Sequence, residues 1–377
     1  MSITAVRARG VRIPVKAGIS QSTRKLVQRD YVIVTIEDSE TEAVGVGVSY
    51  VGTAGGRSAA EAIDDVLAST LLGADPGDIA GLWARLYQES LMQGRRGMVV
   101  RCLAAIDIAL WDLAGKRAGQ PLARLLGGRS GGIPAYASGG YYRAGDPDPA
   151  ATVRAEIELN RSLGFVDHKI KVGGLRPTED AKRVAAAIEV IDGTGRLAVD
   201  ANNAYGTPAE AILATRILER AAGDAGLRWM EEPLSPEDIA GHARIASAVD
   251  TPVATGEIHQ TRWEFQSLLT QNAAAILQAD AGVVGGVSEW LTIARTALTF
   301  GVPVAPHWHA NLHVHLVAAS ENGLVVEHFS KDKGIYNLEE IMTPESRLAF
   351  VDGQVIVPER PGIGWEFDEA MIGKYEL

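Results

Sequence analysis

The chain has 377 residues, with 36 Lys+Arg against 47 Asp+Glu for a formal charge of −11. At roughly 100–200 residues per domain this length predicts two domains, or one large barrel with an appendage, and 46% hydrophobic residues supply a substantial core. The acidic balance argues against nucleic acid or an anionic membrane as partner, and the single cysteine, Cys102, rules out an intrachain disulfide and a cysteine-rich metal site.

The N-terminal stretch MSITAVRARGVRIPVKAG is broken by charge too often for a signal-peptide apolar region. No apolar run reaches the ~18 residues that a membrane helix needs, so a soluble, cytoplasmic protein is expected. Residues 3–15 and 31–50 alternate apolar and polar with many β-branched side chains, which predicts an antiparallel meander. The polar stretch 16–29 reads as a loop. Helices are predicted near 58–72, 77–93 and 98–118; in the last, Leu103, Ile106, Leu110 and Leu113 recur at helical spacing, and Gly119 and Pro121 bracket its end. Cys102 falls in this helix as a small buried hydrophobe. Gly45, Gly47 and Gly52 have the wrong spacing for a dinucleotide-binding fingerprint.

From Ile133 the pattern changes. Short apolar runs at 133–138, 167–172, 196–201, 228–232, 252–257, 275–280, 302–307 and 323–328 alternate with amphipathic, helix-favouring segments. This is the signature of a (β/α) barrel; a doubly wound sheet shares the alternation. Most of these runs end in an ionisable residue: Lys171, Asp200, Glu231, Glu257, Asp280, His307 and Glu327. A barrel keeps its interior apolar and its chemistry at this C-terminal rim, whereas surface charges would scatter into helices and loops.

Asp200, Glu231 and Glu257 end consecutive runs and form an oxygen-rich set suited to Mg2+, with Mn2+ as a substitute; without a cation they would repel one another. Lys169 and Lys171 lie two apart on a strand and share a face, so each ammonium is expected to lower the other's pKa and free one as a base. Asp280 beside His307 would fix the imidazole tautomer and give a second acid/base. The segment HWHANLHVH (307–315) holds four of the eight histidines. His309 is placed to face a hydroxyl-rich substrate, His313 and His315 read as helix-face residues, and a zinc site is a poor fit.

These residues resemble the enolase superfamily, specifically its mandelate racemase subgroup. The likeness rests on KIK at 169–171, VDAN at 199–202, MEEP at 230–233, TGE at 255–257, QAD ending at Asp280 followed by Gly285–Gly286, and Pro306–His307. It covers almost the whole chain. It implies a modified (β/α)7β barrel over about 126–350, an α+β capping domain over 1–125, and a segment 351–377 that packs on the cap. It further implies that Asp200, Glu231 and Glu257 bind Mg2+, leaving Glu232 outside the first shell, and that Lys171 and the His307–Asp280 pair flank the substrate as acid/base groups. Glu327 would hydrogen-bond a substrate carboxylate oxygen, Lys169 would add positive charge there, and Asn202 would contact the substrate. Cap loops around 16–29 and 50–56 are expected to close over the site, and a homo-oligomer is implied.

The expected chemistry is removal of the α-proton of a carboxylate, followed by loss of a β-hydroxyl as water: an acid-sugar dehydratase giving a 2-keto-3-deoxy acid. Most subgroup members resemble acid-sugar dehydratases, and the polar residues of 16–29 together with His309 suit a polyhydroxy acid. A racemase or epimerase of a 2-hydroxy acid is the alternative. Cycloisomerisation is disfavoured because that subgroup normally carries a lysine where this chain has Asp280. A non-catalytic scaffold is disfavoured because no ligand or base is missing.

Overall fold

The computed structural model describes residues 2–330 and 334–377. The alternating N-terminal residues form β1 (Ile3–Ser20), β2 (Lys25–Asp38) and β3 (Val44–Gly52), an antiparallel sheet. The stretch 16–29 is a hairpin arm rather than a loop. β1 continues to Ser20, β2 begins at Lys25, and the turn is closed by Gln21 N donating to Arg24 O at 2.9 Å. Ile19 and Leu26 hold this polar arm by packing with Tyr141, Trp308 and Phe329. Two inward apolar residues suffice, and average polarity hides them.

Helical spacing yields α1 (Gly56–Ala62), a π-helical turn at Ile63–Leu67, α2 (Ala68–Leu71), α3 (Ile79–Glu89) and α4 (Met98–Ala118). α4 crosses the sheet at contact distance. A Cβ on Gly45 would stand 2.3 Å from Ala109 O, and one on Gly47 1.9 Å from Ala105 O. These glycines therefore serve helix–strand packing. α4 ends at Gly119 in the left-handed conformation (φ 63°), and α5 (Leu122–Leu125) leads out of the cap.

The alternating runs then close into a barrel. Its elements are β4 (Gly132–Gly139), α6 (Pro149–Ser162), β6 (Asp167–Lys171), α7 (Pro177–Ile191), β7 (Leu197–Asp200), α8 (Pro208–Ala222), β8 (Met230–Glu231), α9 (Ile239–Ala246), β9 (Val253–Thr255), α10 (Thr261–Thr270) and β10 (Ile276–Leu277). α11 (Ala281–Val284), α12 (Val287–Thr299), α13 (Ala310–Ala318) and β11 (Val326–His328) complete it. After β4, β5 (Tyr142–Arg143) pairs with the β1 arm. The parallel order β4-β6-β7-β8-β9-β10 is closed by β11 pairing back to β4. The run at 302–307 contributes only Val304, which bridges Leu277 and Gly323. Pro303 and Pro306 flank it and cannot donate to a ladder.

A layer of Tyr136, Ala198, Trp229, Ala254, Ile276, Ala305 and Val325 fills the barrel interior. Four of these lie two residues before Asp200, Glu231, His307 and Glu327, so strand periodicity lifts those four polar groups directly above an apolar floor. After the barrel, β12 (Phe350–Val351) and β13 (Gln354–Ile356) form a hairpin on β4, and α14 (Glu369–Tyr375) brings Leu377 N to Gly10 O at 3.0 Å in the cap.

Candidate active site

The strand tips converge as the sequence predicts. Asp200, Glu231 and Glu257 each offer an oxygen, and these atoms lie within 4.8 Å of one another. Lys169 Nζ stands 2.5 Å from Glu231 Oε1, 2.9 Å from Glu327 Oε1 and 3.6 Å from Asp200 Oδ2, while Lys171 Nζ is 2.5 Å from Asp200 Oδ2. At the other end of the carboxylate row, His307 Nε2 is 3.5 Å from Glu257 Oε2 and its Nδ1 is 3.0 Å from Asp280 Oδ2. Lys171 and His307 therefore bracket the carboxylates from opposite ends.

The electrostatics correct one expectation. Burial acts to lower both lysine pKa values, but Asp200 outweighs it at Lys171, and Glu231 with Glu327 does so at Lys169; both stand above the ordinary value. The carboxylates, not the neighbouring ammonium, set their charge. Burial and then Asp200 push Glu231 up to about 8, and burial raises Glu257. Glu257 Oε2 is buried without a hydrogen bond. An all-oxygen set of crowded, partly unsatisfied carboxylates fits a hard dication, which would supply the charge that the lysines only partly provide.

Burial opposes charge on His307, yet Glu257 and the Asp280 hydrogen bond raise it to about 9. Asp280 is held down at about 2, against burial, by its histidine neighbours. Its Oδ1 accepts from Gly282 N at 2.8 Å, so α11 anchors the carboxylate that orients His307. Glu327 accepts from Lys169 and, at 2.7 Å, from Trp308 N, and these contacts keep it ionised despite burial. As found it only accepts, and Lys169 is the donor at that end.

Left-handed backbone clusters beside these groups: Asn202 (φ 44°), Asn203 (62°), Glu232 (43°), Gly256 (135°) and Trp308 (63°). At the non-glycine positions this costs on the order of 1–3 kcal/mol and persists where the surroundings over-determine it. Here the turn sends the chain out of the barrel and rotates Glu232 away from the trio. Glu232 instead accepts from Thr255 Oγ1 (2.6 Å), Gly256 N (2.9 Å) and Asn203 Nδ2 (2.7 Å). Asn202 donates from N to Asp200 Oδ1 at 2.9 Å, and its Oδ1 has no partner. The hairpin tip reaches the same turn, with Ser22 Oγ donating to Ala201 O at 2.5 Å and Thr23 Oγ1 to Asn202 O at 3.2 Å.

His309 stands beside the Asp280–His307 pair rather than among the three clustered carboxylates and the lysines, and its Nε2 is buried without a hydrogen bond. It is buried in an aromatic layer beneath the cap, its ring centroid 6.2 Å from Tyr31 and from Tyr336 and 6.4 Å from His313; burial lowers it to about 3. His313 and His315 are buried α13 residues: His313 Nε2 accepts from Ala281 N at 3.0 Å, and His315 Nδ1 accepts from Ala123 N at 3.2 Å. Three contributors were not singled out from the sequence. Trp229 Nε1 and Gln278 Nε2 donate to Glu231 Oε2 at 2.8 and 2.6 Å, and the Tyr141 ring lies 5.1 Å from Lys171 Nζ. Trp229 and Gln278 sit two residues before Glu231 and Asp280, a same-face spacing that could have flagged them; Tyr141 gave no such signal.

Comparison with known proteins supplies the family. Residues 3–127 match the mandelate racemase/muconate lactonizing enzyme N-terminal domain, and residues 152–371 match the enolase C-terminal domain-like model. The chain belongs to this family, within the enolase superfamily. L-talarate/galactarate dehydratase of Salmonella typhimurium is 36% identical over 326 residues, 86% of this chain and 77% of that one. D-galactarolactone cycloisomerase of Agrobacterium fabrum is 32% identical over 100% of this chain and 99% of its own. Among solved structures, L-talarate dehydratase from Polaromonas sp. JS666 complexed with Mg and L-glucarate superposes with a TM-score of 0.86 at 33% identity, covering 100% of this chain and 97% of that one. The capped barrel is thus the family fold, as the motifs implied. Among the described residues, no helix of this family member is long and apolar enough to cross a membrane.

Proposed function

We propose that the protein is a Mg2+-dependent dehydratase of an acid sugar. The observation that carries this reading is the row of three carboxylates bracketed by Lys171 at one end and the His307–Asp280 pair at the other. Asp200, Glu231 and Glu257 would hold Mg2+, which when bound neutralises charge that builds on the substrate carboxylate as its α-proton leaves. Lys169, paired with Glu327, adds a positive group at the same end, and Asn202, with its unpartnered Oδ1, faces substrate hydroxyls.

The proton chemistry belongs to the flanks. One of Lys171 Nζ and His307 Nε2 takes the C2 proton; the other delivers a proton to the departing C3 hydroxyl, which leaves as water. The resulting enol tautomerises to the 2-keto-3-deoxy acid. Asp280 keeps His307 Nδ1 protonated, so Nε2 is the working nitrogen. Returning the proton from the opposite flank instead would epimerise C2. D-galactarolactone cycloisomerase is also a relative, and Asp280 in place of the lysine expected for cycloisomerisation argues for dehydration here.

The test is incubation with Mg2+ and a panel of acid sugars, scored for 2-keto acid. Formation from at least one member supports the reading. Loss of C2 configuration without keto acid would replace dehydration by epimerisation. The proposal includes a cytoplasmic homo-oligomer, as the family resemblance implies; light scattering reads the oligomeric state.

A further inference from the structure

Between the cap and the barrel lies a cavity of about 260 Å³, lined in part by Arg101 of α4 and by Ile258, His259 and Gln260, which follow directly after Glu257. Arg96 also lines it but is already paired with Glu237 at 2.8 Å and with Glu264. Arg101 differs. Among the described residues its guanidinium makes one hydrogen bond, from Nη1 to Tyr50 O at 2.6 Å, and no carboxylate forms an ion pair with it. Arg101 is half-buried, and its guanidinium carries five donors of which the chain engages one.

Its position is fixed by neighbours. Ser49, adjacent to Tyr50, donates from Oγ to Gly282 O at 2.5 Å, and Gly282 N in turn binds Asp280. Arg101 is therefore bonded to the cap strand that Ser49 ties to α11, the element anchoring Asp280. Burial works to lower its pKa, and the charges of Asp280, Tyr50 and Glu257 oppose that.

We propose that Arg101 binds the second, distal carboxylate of the substrate, so that the preferred acid sugar is a dicarboxylate rather than a monoacid. The inference rests on the acid-sugar reading of the same site and narrows it. A terminal carboxylate would meet Arg101 in a charge-assisted, bidentate contact, while a terminal CH2OH would offer the guanidinium no charge to match.

The experiment compares six-carbon pairs of one configuration, such as galactarate and galactonate, with wild type, R101M and R101K. The expected result is that wild type favours the dicarboxylate and that R101M lowers the dicarboxylate-to-monoacid ratio of kcat/KM roughly 100-fold, chiefly through KM. R101K, which keeps a charge without the fork, should restore part of the ratio. If Arg101 merely braces Tyr50, R101M will weaken both substrates by one factor and lower the melting temperature, which overturns the proposal. Wild type that dehydrates only monoacids also overturns it while leaving the acid-sugar reading intact. Wild type inert on every acid sugar removes both.

Discussion

Asp280→Asn tests how the His307 flank is built. The substitution keeps the side-chain size and can keep the 2.8 Å bond from Gly282 N to Oδ1. It then turns an amide N–H toward His307 Nδ1, where a carboxylate oxygen stands now at 3.0 Å. The imidazole must move its proton to Nε2, the nitrogen facing Glu257, and can no longer accept a proton there. A rise from 6.5 to about 9 at His307 corresponds to about 3 kcal/mol in favour of the imidazolium, contributed mainly by Glu257 and Asp280 against burial. A tautomer switch of this kind costs a serine protease about 10⁴ in turnover. With Lys171 still carrying half of the proton chemistry, we expect a loss of roughly 10³ to 10⁴ in dehydration. The assay is keto-acid formation, with a melting curve to show that the variant is folded. A folded variant retaining more than about a tenth of wild-type turnover would refute the reasoning, because no tautomer control of that size could then exist.

Other consequences follow from single contacts. Glu257→Gln removes one of three anionic ligands and should weaken Mg2+ binding by roughly two orders of magnitude in a calorimetric titration; unchanged affinity would place the ion elsewhere. Gly47→Ala drives a Cβ to 1.9 Å from Ala105 O, so α4 must lift from β3 at a cost of about 3 kcal/mol. A denaturation midpoint equal to wild type would mean that the cap packs differently. His315 is held neutral at about 4, below its ordinary 6.5, by burial, and Nδ1 accepts from Ala123 N while Nε2 lies 3.0 Å from Ile363 O. Its folded pKa is depressed, so between pH 6.5 and 4 the unfolded chain binds the extra proton. This contribution is fully present above pH 6.5 and is lost as pH falls, by up to about 3 kcal/mol. Unfolding free energies measured from pH 7 to 4 should show the decline, and H315Q should flatten it; equal slopes in both proteins would count against this assignment.

The catalytic end of the barrel was legible because strand periodicity and residue chemistry coincide there. An ionisable residue at a strand tip, two positions beyond an apolar floor residue, is readable without coordinates, as at Ala198/Asp200 and Trp229/Glu231. Boundaries set by tertiary contact were not. The 16–29 arm pairs because Ile19 and Leu26 find Tyr141 and Trp308, residues more than a hundred positions away. Val304 shrinks to a bridge because its flanking prolines cannot extend a ladder. The lysines were misread for a similar reason. Sequence shows that Lys169 and Lys171 are neighbours, but their pKa values are set by Asp200, Glu231 and Glu327, which arrive from other strands. His309 packs against Tyr31 and Tyr336, aromatic neighbours from distant segments that its closeness to His307 in sequence did not announce.

The central idea is that a shared dication lets Lys171 or His307 remove a proton from beside a carboxylate. Its most direct measurement is NMR of the C2 proton of an accepted acid sugar in deuterated buffer, with wild type, before and after Mg2+ is stripped by chelation. The expected record is deuterium entering C2, or C2–H vanishing into keto acid, only while Mg2+ is present and again on its return. A C2–H signal that disappears equally fast in the stripped protein, or that persists with Mg2+ restored, would contradict it.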